Sequence, residues 1–375
     1  MEEYLLSAYN KFESNKYKNI TIVLGNESCD LDSVVSSIVY ATYLNWKNTS
    51  DNNIQEELFI PILDVDREDL PLKTEVAFCL NKHGISQDKL IFRNDINFQE
   101  LVNLKKVRIV LVDHHILSEK FCFLVQYVQE IFDHRPLDNT KWSYKEDVVH
   151  QIEVIGSCAT LIGQKIKDSH ENDFFIIYPQ CAKLLHNVII LDTVNFSKEV
   201  NKGTPLDEQI VLYLENVLNP VDSEKERKTI LDDLLRARSD VSHLTPSQLL
   251  RKDLKIINDV LVPSFPILVK DFLQKSNALE SVKEALMFKK CTIALLLGMD
   301  LREGLRRDGL VLSLEEKKGE EFTKFLQNWT NPALELVLDP EINKLYFKQN
   351  NLSASRKQYV PAVCEFVKKK CYINK

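Results

Sequence analysis

The chain has 375 residues, 44% hydrophobic and 27% charged, with a formal net charge of -7 at pH 7. That length exceeds a comfortable single core and predicts two domains, and the composition excludes a disordered or fibrous chain. The acidic balance argues against a general nucleic-acid binder, because phosphate backbones are held by surplus Lys and Arg; a polyphosphate ligand would need metal ions or a confined basic patch.

The N-terminal stretch MEEYLLSAYNKFESNKYKN carries acidic residues where a secretory signal needs positive charge. No apolar run approaches the roughly 18 residues of a membrane span. The eight cysteines form no CxxC pair and mostly sit in apolar runs such as VAFCL, as in a reduced compartment. These features predict a soluble, cytoplasmic protein. Further along, short apolar runs predict strands at 20–24, 58–63, 108–112 and 128–132, and amphipathic stretches predict helices at 33–44, 73–83, 157–168 and 173–191. This alternation is the sequence form of an α/β domain with a mainly parallel sheet flanked by helices. After NPVD the pattern turns to the charged helical stretch SEKERKTILDDLLRARSDVSHL, so a domain boundary is expected between 218 and 219. The remainder combines a helix at 245–258 with strand-like runs at 264–270 and 291–298, a smaller α+β domain over 219–375.

Carboxylates recur where apolar runs stop. Asp30 and Asp32 follow the strand ITIVLG and open a helix, at the carboxyl end where α/β sheets place ligand crevices. The same D-x-D-S string also suits a helix cap. A second run ends in Asp113-His114-His115, a third in Asp133-His134-Arg135, and a fourth stops at Asp192 before Thr193-Val194-Asn195. Anionic groups gathered at one rim raise each other's pKa unless a cation lies between them. A pair of divalent ions supplies that cation and activates water for phosphoryl hydrolysis.

In order, GNESCDLDS, LVDHH, FDHRP and LDTVN resemble the four motifs of the DHH phosphoesterase superfamily, and the chain from about Val23 to Tyr359 is similar to its prune and exopolyphosphatase branch. IPILDVDREDLPLKTE resembles that branch's arginine-containing segment, and GSCATLI precedes the fourth motif. The resemblance implies a DHH domain followed by a DHHA2-type domain. It implies two divalent cations, Mg2+, Mn2+ or Co2+, held by Asp30, Asp32, Asp113, His134 and Asp192, with Asp113 bridging both. It also makes Asp113, His114 and Arg135 the expected catalytic groups, and Asn26, Arg135, Lys255, Arg356 and Lys357 the expected substrate contacts.

Two positions depart from the pattern. Asn26 stands where related pyrophosphatases have a metal-binding histidine, which predicts a weaker oxygen donor. Arg135 replaces a second histidine and forks onto phosphate rather than donating a proton. The cluster Arg302, Arg306 and Arg307 is expected on the surface. The expected activity is hydrolysis of short-chain polyphosphates to orthophosphate, with a cyclic-nucleotide phosphodiesterase, or a signalling protein of the prune type that binds a nucleoside diphosphate kinase, as alternatives. The long C-terminal tail of some animal prune proteins is missing from this sequence, which counts against partners that would need it.

Overall fold

A computed structural model describes residues 1–50, 57–169, 173–301 and 304–373. It divides into two compact units, Met1–Arg238 and Ser239–Lys375.

The first unit is built on six parallel strands, β1 (Asn19–Leu24), β2 (Glu57–Leu63), β3 (Ile91–Phe92), β4 (Lys106–Val112), β5 (Val128–Asp133) and β6 (Val149–Ile152). Their order is β3-β2-β1-β4-β5-β6, so the strand order reverses between β1 and β4. That reversal is the point at which open α/β sheets form a crevice beyond the carboxyl ends of their strands. The central strands are mostly apolar because both faces are covered, and every residue of β2 is buried. The helices are α1 (Glu2–Glu13), α2 (Leu31–Ser50), α3 (Thr74–Lys82), α4 (Phe98–Leu104), α5 (Cys158–Asp168), α6 (Asp173–Ile177), α7 (Pro179–Asp192), α8 (Pro205–Leu218) and α9 (Ser223–Ser239). Val34, Val35, Ile38 and Val39 of α2 lie in the same core as Ile20, Ile22 and Leu24 of β1.

The helix expected over 173–191 is two helices. Pro179 occupies the first turn of α7, and its lack of an N–H and its clash with the preceding residue break the run at Tyr178. The short β3 and the edge strand β6, whose VHQI has no apolar run, carry too little pattern to be read from the sequence.

The first unit also extends past the expected boundary at 218/219. Ile230 and Leu234 of α9 join its hydrophobic core. Arg227 forks onto Glu215 of α8 at 2.6 and 2.7 Å, and Asp233 pairs with Lys82 of α3 at 2.8 Å. A charged composition disguised α9 because its apolar stripe is narrow.

The second unit holds β7 (Leu254–Ile257), β8 (Val260–Phe265), β9 (Ile293–Asp300), β10 (Arg306–Ser313), β11 (Leu336–Leu338) and β12 (Tyr346–Gln349), in the order β11-β12-β10-β9-β8-β7. The β8–β9 pair is parallel and the other pairs are antiparallel. Its helices are α10 (Pro246–Lys252), α11 (Val269–Leu273), α12 (Ala278–Phe288), α13 (Glu316–Gln327) and α14 (Arg356–Ile373). Phe322 and Leu326 of α13 and Tyr359 and Val363 of α14 pack with Val262, Leu295 and Val311 of the sheet. The helix expected over 245–258 stops at Lys252, and a hairpin follows, turning at Asn258 with a φ of 54° that asparagine tolerates. The strand expected over 264–270 lies earlier, as β8, and Val269 already begins α11. Arg306 and Arg307 belong to β10, where Arg306 pairs with buried Asp300 at 2.6 Å. Arg302 lies outside the described residues.

Candidate metal centre

The site grows from the carboxyl ends of β1 and β4. After β1 the backbone turns tightly against α2: a Cβ on Gly25 would lie 2.3 Å from Ser33 Oγ, and the Asn26 N–H donates to that hydroxyl at 2.7 Å. Asp30 caps α2, its Oδ1 accepting from Ser33 N at 3.1 Å and its Oδ2 from Ser28 Oγ at 2.8 Å. Asp32 points the other way, onto the first turn of α5, where Cys158 N and Ala159 N donate to its two oxygens at 2.7 and 2.8 Å. A helix N-terminus presents such unpaired N–H groups and favours a carboxylate.

Asp113 follows β4 in the left-handed conformation, with a φ of 62°. Strain of this kind costs about 1–3 kcal/mol and persists only where surrounding contacts enforce it. Here the Asp113 N–H donates to Phe132 O at 2.8 Å, and the side chain is buried. Its Oδ1 lies 3.2 Å from both His134 Nε2 and an Arg135 guanidinium nitrogen. His134 Nδ1 faces the Ile155 carbonyl at 3.2 Å. A carbonyl only accepts, so Nδ1 carries the proton and Nε2 is turned toward Asp113 and, at 4.0 Å, toward Asp32.

Among the described residues, Asp32, Asp113 and His134 offer ligand atoms that all lie within 4.8 Å of one another. A cation placed among them would relieve their mutual repulsion. Burial, and then the charge of Asp32, push Asp113 up to about 8; burial chiefly raises Asp32 as well. Burial opposes a charged His134, but the neighbouring carboxylates outweigh it and push the imidazole up to about 9. Asp192, at the end of α7, is raised well above the carboxylate range by burial and then by Asp32, and its Oδ2 is buried without a hydrogen-bond partner. Two buried carboxylates beside an oriented imidazole, with Asp192 near enough for the charge of Asp32 to raise it, fit a hard divalent cation such as Mg2+ or Mn2+.

Other expected residues take different positions. Asn26 turns its amide nitrogen to Asp113, donating to Oδ2 at 2.6 Å and to the carbonyl at 3.1 Å. Its oxygen accepts from Ser28 Oγ at 2.6 Å and Cys29 N at 3.1 Å. His114 Nδ1 faces Val112 O at 3.0 Å and burial pulls its pKa down, so the ring is neutral with Nε2 able to accept a proton. His115 braces the loop instead, with Nδ1 at 2.5 Å from Asp133 and Nε2 accepting from Asp138 N.

In the second unit Lys255 and Lys357 are exposed. Arg356, expected to grip phosphate, donates to Asp253 O at 2.6 Å and Val262 O at 3.2 Å and pairs with the Asp253 carboxylate, which ties α14 to the β7–β8 hairpin.

A cavity of about 310 Å³ adjoins the cluster, and Asn26, Asp64, His114 and Arg135 line it together with Ile116, Leu117 and Phe121. Asp64, buried between Arg93 and Lys120, is a residue the motif reading passed over. Its signal was present, since it ends the apolar run of β2 as Asp113 ends β4.

Residues 232–366 match the DHHA2 domain. The chain is 32% identical over 373 residues to Exopolyphosphatase PRUNE1 of Rattus norvegicus, covering 97% of this chain and 79% of that protein. With Exopolyphosphatase PRUNE1 of Homo sapiens the identity is 38% over 283 residues, 74% of this chain and 59% of the human protein. With the manganese-dependent inorganic pyrophosphatase of Methanocaldococcus jannaschii it is 27% over 238 residues, 62% of this chain and 66% of that one. Identity at this level along nearly the whole length means that the chain belongs to the prune and exopolyphosphatase branch of the DHH phosphoesterase superfamily.

Proposed function

We propose that the chain is a divalent-metal-dependent phosphoric anhydride hydrolase that releases orthophosphate from short linear polyphosphates. The observation that carries this reading is the convergence of Asp32, Asp113 and His134, with the unsatisfied Asp192 Oδ2, at the switch point of a parallel sheet. Relatives named exopolyphosphatase and manganese-dependent pyrophosphatase support it. A bound divalent ion supplies a polarised phosphoryl oxygen and a water of lowered pKa. Of the two ions expected, the ligand set just described serves one.

The chain's own groups complete the chemistry. Arg135 keeps one guanidinium nitrogen on Asp113 and, half exposed, has further N–H groups to fork onto phosphate oxygens. His114 holds a free Nε2 that takes up or passes on a proton within the cavity. Asn26 keeps Asp113 fixed through its two donated bonds. Lys255, Arg356 and Lys357 stay with the reading as proposed phosphate-binding cations.

A second reading, a cyclic-nucleotide phosphodiesterase, draws on the apolar side chains Ile116, Leu117 and Phe121 among the residues that line the adjoining cavity, since nucleobase pockets need such contacts. One experiment separates the two. Orthophosphate release from tripolyphosphate and pyrophosphate, and AMP formation from cyclic AMP, are measured with Mg2+, Mn2+ or Co2+ for the native chain and Asp113→Ala. The anhydride reading expects release greatest on tripolyphosphate and at least about 100-fold lower in the variant. AMP formation without orthophosphate release would replace it with the second reading, and no turnover under any metal would end both.

A further inference from the structure

We propose that Asp207 is a positioning residue of this metal centre: one fully buried carboxylate clamps both ends of the 156–160 segment, which with the adjoining Ile155 carbonyl sets the orientation of His134 and Asp32. The inference rests on the metal-site reading above.

Asp207 lies in the first turn of α8, outside all four aspartate motifs, and has no exposed surface. Two of its bonds are local, Oδ2 accepting from Thr204 N at 2.8 Å and Thr204 Oγ1 at 2.7 Å, as the reciprocal cap of α8 requires. The other two reach across the unit. Oδ2 accepts from Gly156 N at 2.9 Å, and Oδ1 accepts from Thr160 Oγ1 at 2.6 Å. A helix cap alone needs neither. Desolvating a carboxylate this far is costly unless it is well hydrogen-bonded, and three bonds to Oδ2 and one to Oδ1 offset that cost.

The residues between the clamped points, and the one adjoining them, touch the ligands. Ile155 O fixes His134 through Nδ1, and Cys158 N and Ala159 N hold the two oxygens of Asp32. Gly156 has no room for a side chain, because a Cβ would come within 2.7 Å of Thr193 Cγ2 and 2.8 Å of Asp207 Oδ2. A shift of this segment would therefore move an imidazole and a carboxylate together. Outer groups that orient metal ligands typically contribute a factor of about 10–100 in metal affinity.

The test is Mn2+ affinity of the full chain, by equilibrium dialysis with electron spin resonance, for the native protein, Asp207→Ala, Asp207→Asn, Thr160→Val and Leu214→Ala. Asparagine can present its oxygen to Gly156 and Thr204 and its amide to Thr160, so Asp207→Asn should bind within about threefold of the native chain. Asp207→Ala should bind about 10–100-fold more weakly, and Thr160→Val should weaken binding in the same direction by a smaller factor. Leu214, buried in the same helix, is the stability control: its alanine variant should lower the melting temperature and leave affinity unchanged. Native affinity in Asp207→Ala, or equal weakening in Leu214→Ala at equal loss of melting temperature, overturns the proposal. If Asp207→Ala fails to fold, Thr160→Val decides, and native affinity there overturns it. Absence of Mn2+ binding in the native chain would instead overturn the metal reading, and the clamp with it.

Discussion

Asn26 bears on the number of ions expected at the site through the way it meets Asp113. Its amide nitrogen lies 2.6 Å from Asp113 Oδ2, and its oxygen already accepts two bonds, so flipping the amide would set oxygen against oxygen and N–H against N–H. The Oδ1 side of Asp113 faces His134, whereas the Oδ2 side is closed by the amide. Calorimetric titration with Mn2+ is therefore expected to show one tight ion per chain. Two ions of equal affinity would mean that Asn26 swings aside. At this scale the sequence showed which residues carry oxygen or imidazole, but not which atom of Asn26 would face Asp113.

At the scale of elements, the strands and helices deliver the ligands, and one contact between helices makes the first unit sensitive to acid. His83 caps the end of α3, and Asn187 of α7 points its amide nitrogen at His83 Nε2 at 2.9 Å. An amide NH2 can only donate, so Nε2 must be unprotonated. Burial, and then Lys82 and Lys183, lower the pKa of this imidazole below 6.5. The unfolded chain thus binds a proton that the folded chain does not between the two pKa values, and stability falls as pH drops through that window. It is fully present above the unfolded value of about 6.5. Urea midpoints at pH 8 and pH 5 should show the fall, and His83→Gln, which keeps an acceptor that does not titrate, should make it smaller. An unchanged pH slope in the variant would remove His83 from the account.

At the scale of the whole chain, the first unit closes only when α9 is included. A fragment ending at Leu218 loses Ile230 and Leu234 from the core and leaves Glu215 and His186 without Arg227 beside them. Burying two aliphatic side chains is worth about 3–6 kcal/mol by transfer, a large part of the stability of a typical domain. A fragment of residues 1–238 should melt cooperatively and bind Mn2+, whereas residues 1–218 should melt far lower or not fold. Equal melting of the two would return the boundary to 218/219. Among the described residues, no helix is long and apolar enough to cross a membrane.

The sequence by itself determined the parallel α/β plan of the first unit and the carboxylates at the ends of its strands. Those features are local: a strand buried on both faces needs an unbroken apolar run, and Asp64, Asp113, Asp133 and Asp192 each mark where such a run, or an apolar helix, stops. Tertiary structure alone decided that Asp32, Asp113 and His134 converge, that Arg356 braces a hairpin, that α9 belongs to the first unit and that Asp207 clamps the turn beneath two ligands. Several of those outcomes rest on bonds between segments far apart in the chain, 103 positions for Arg356 with Asp253 and 51 for Gly156 with Asp207. Such pairs leave no periodicity in the sequence, because packing rather than local pattern brings them together.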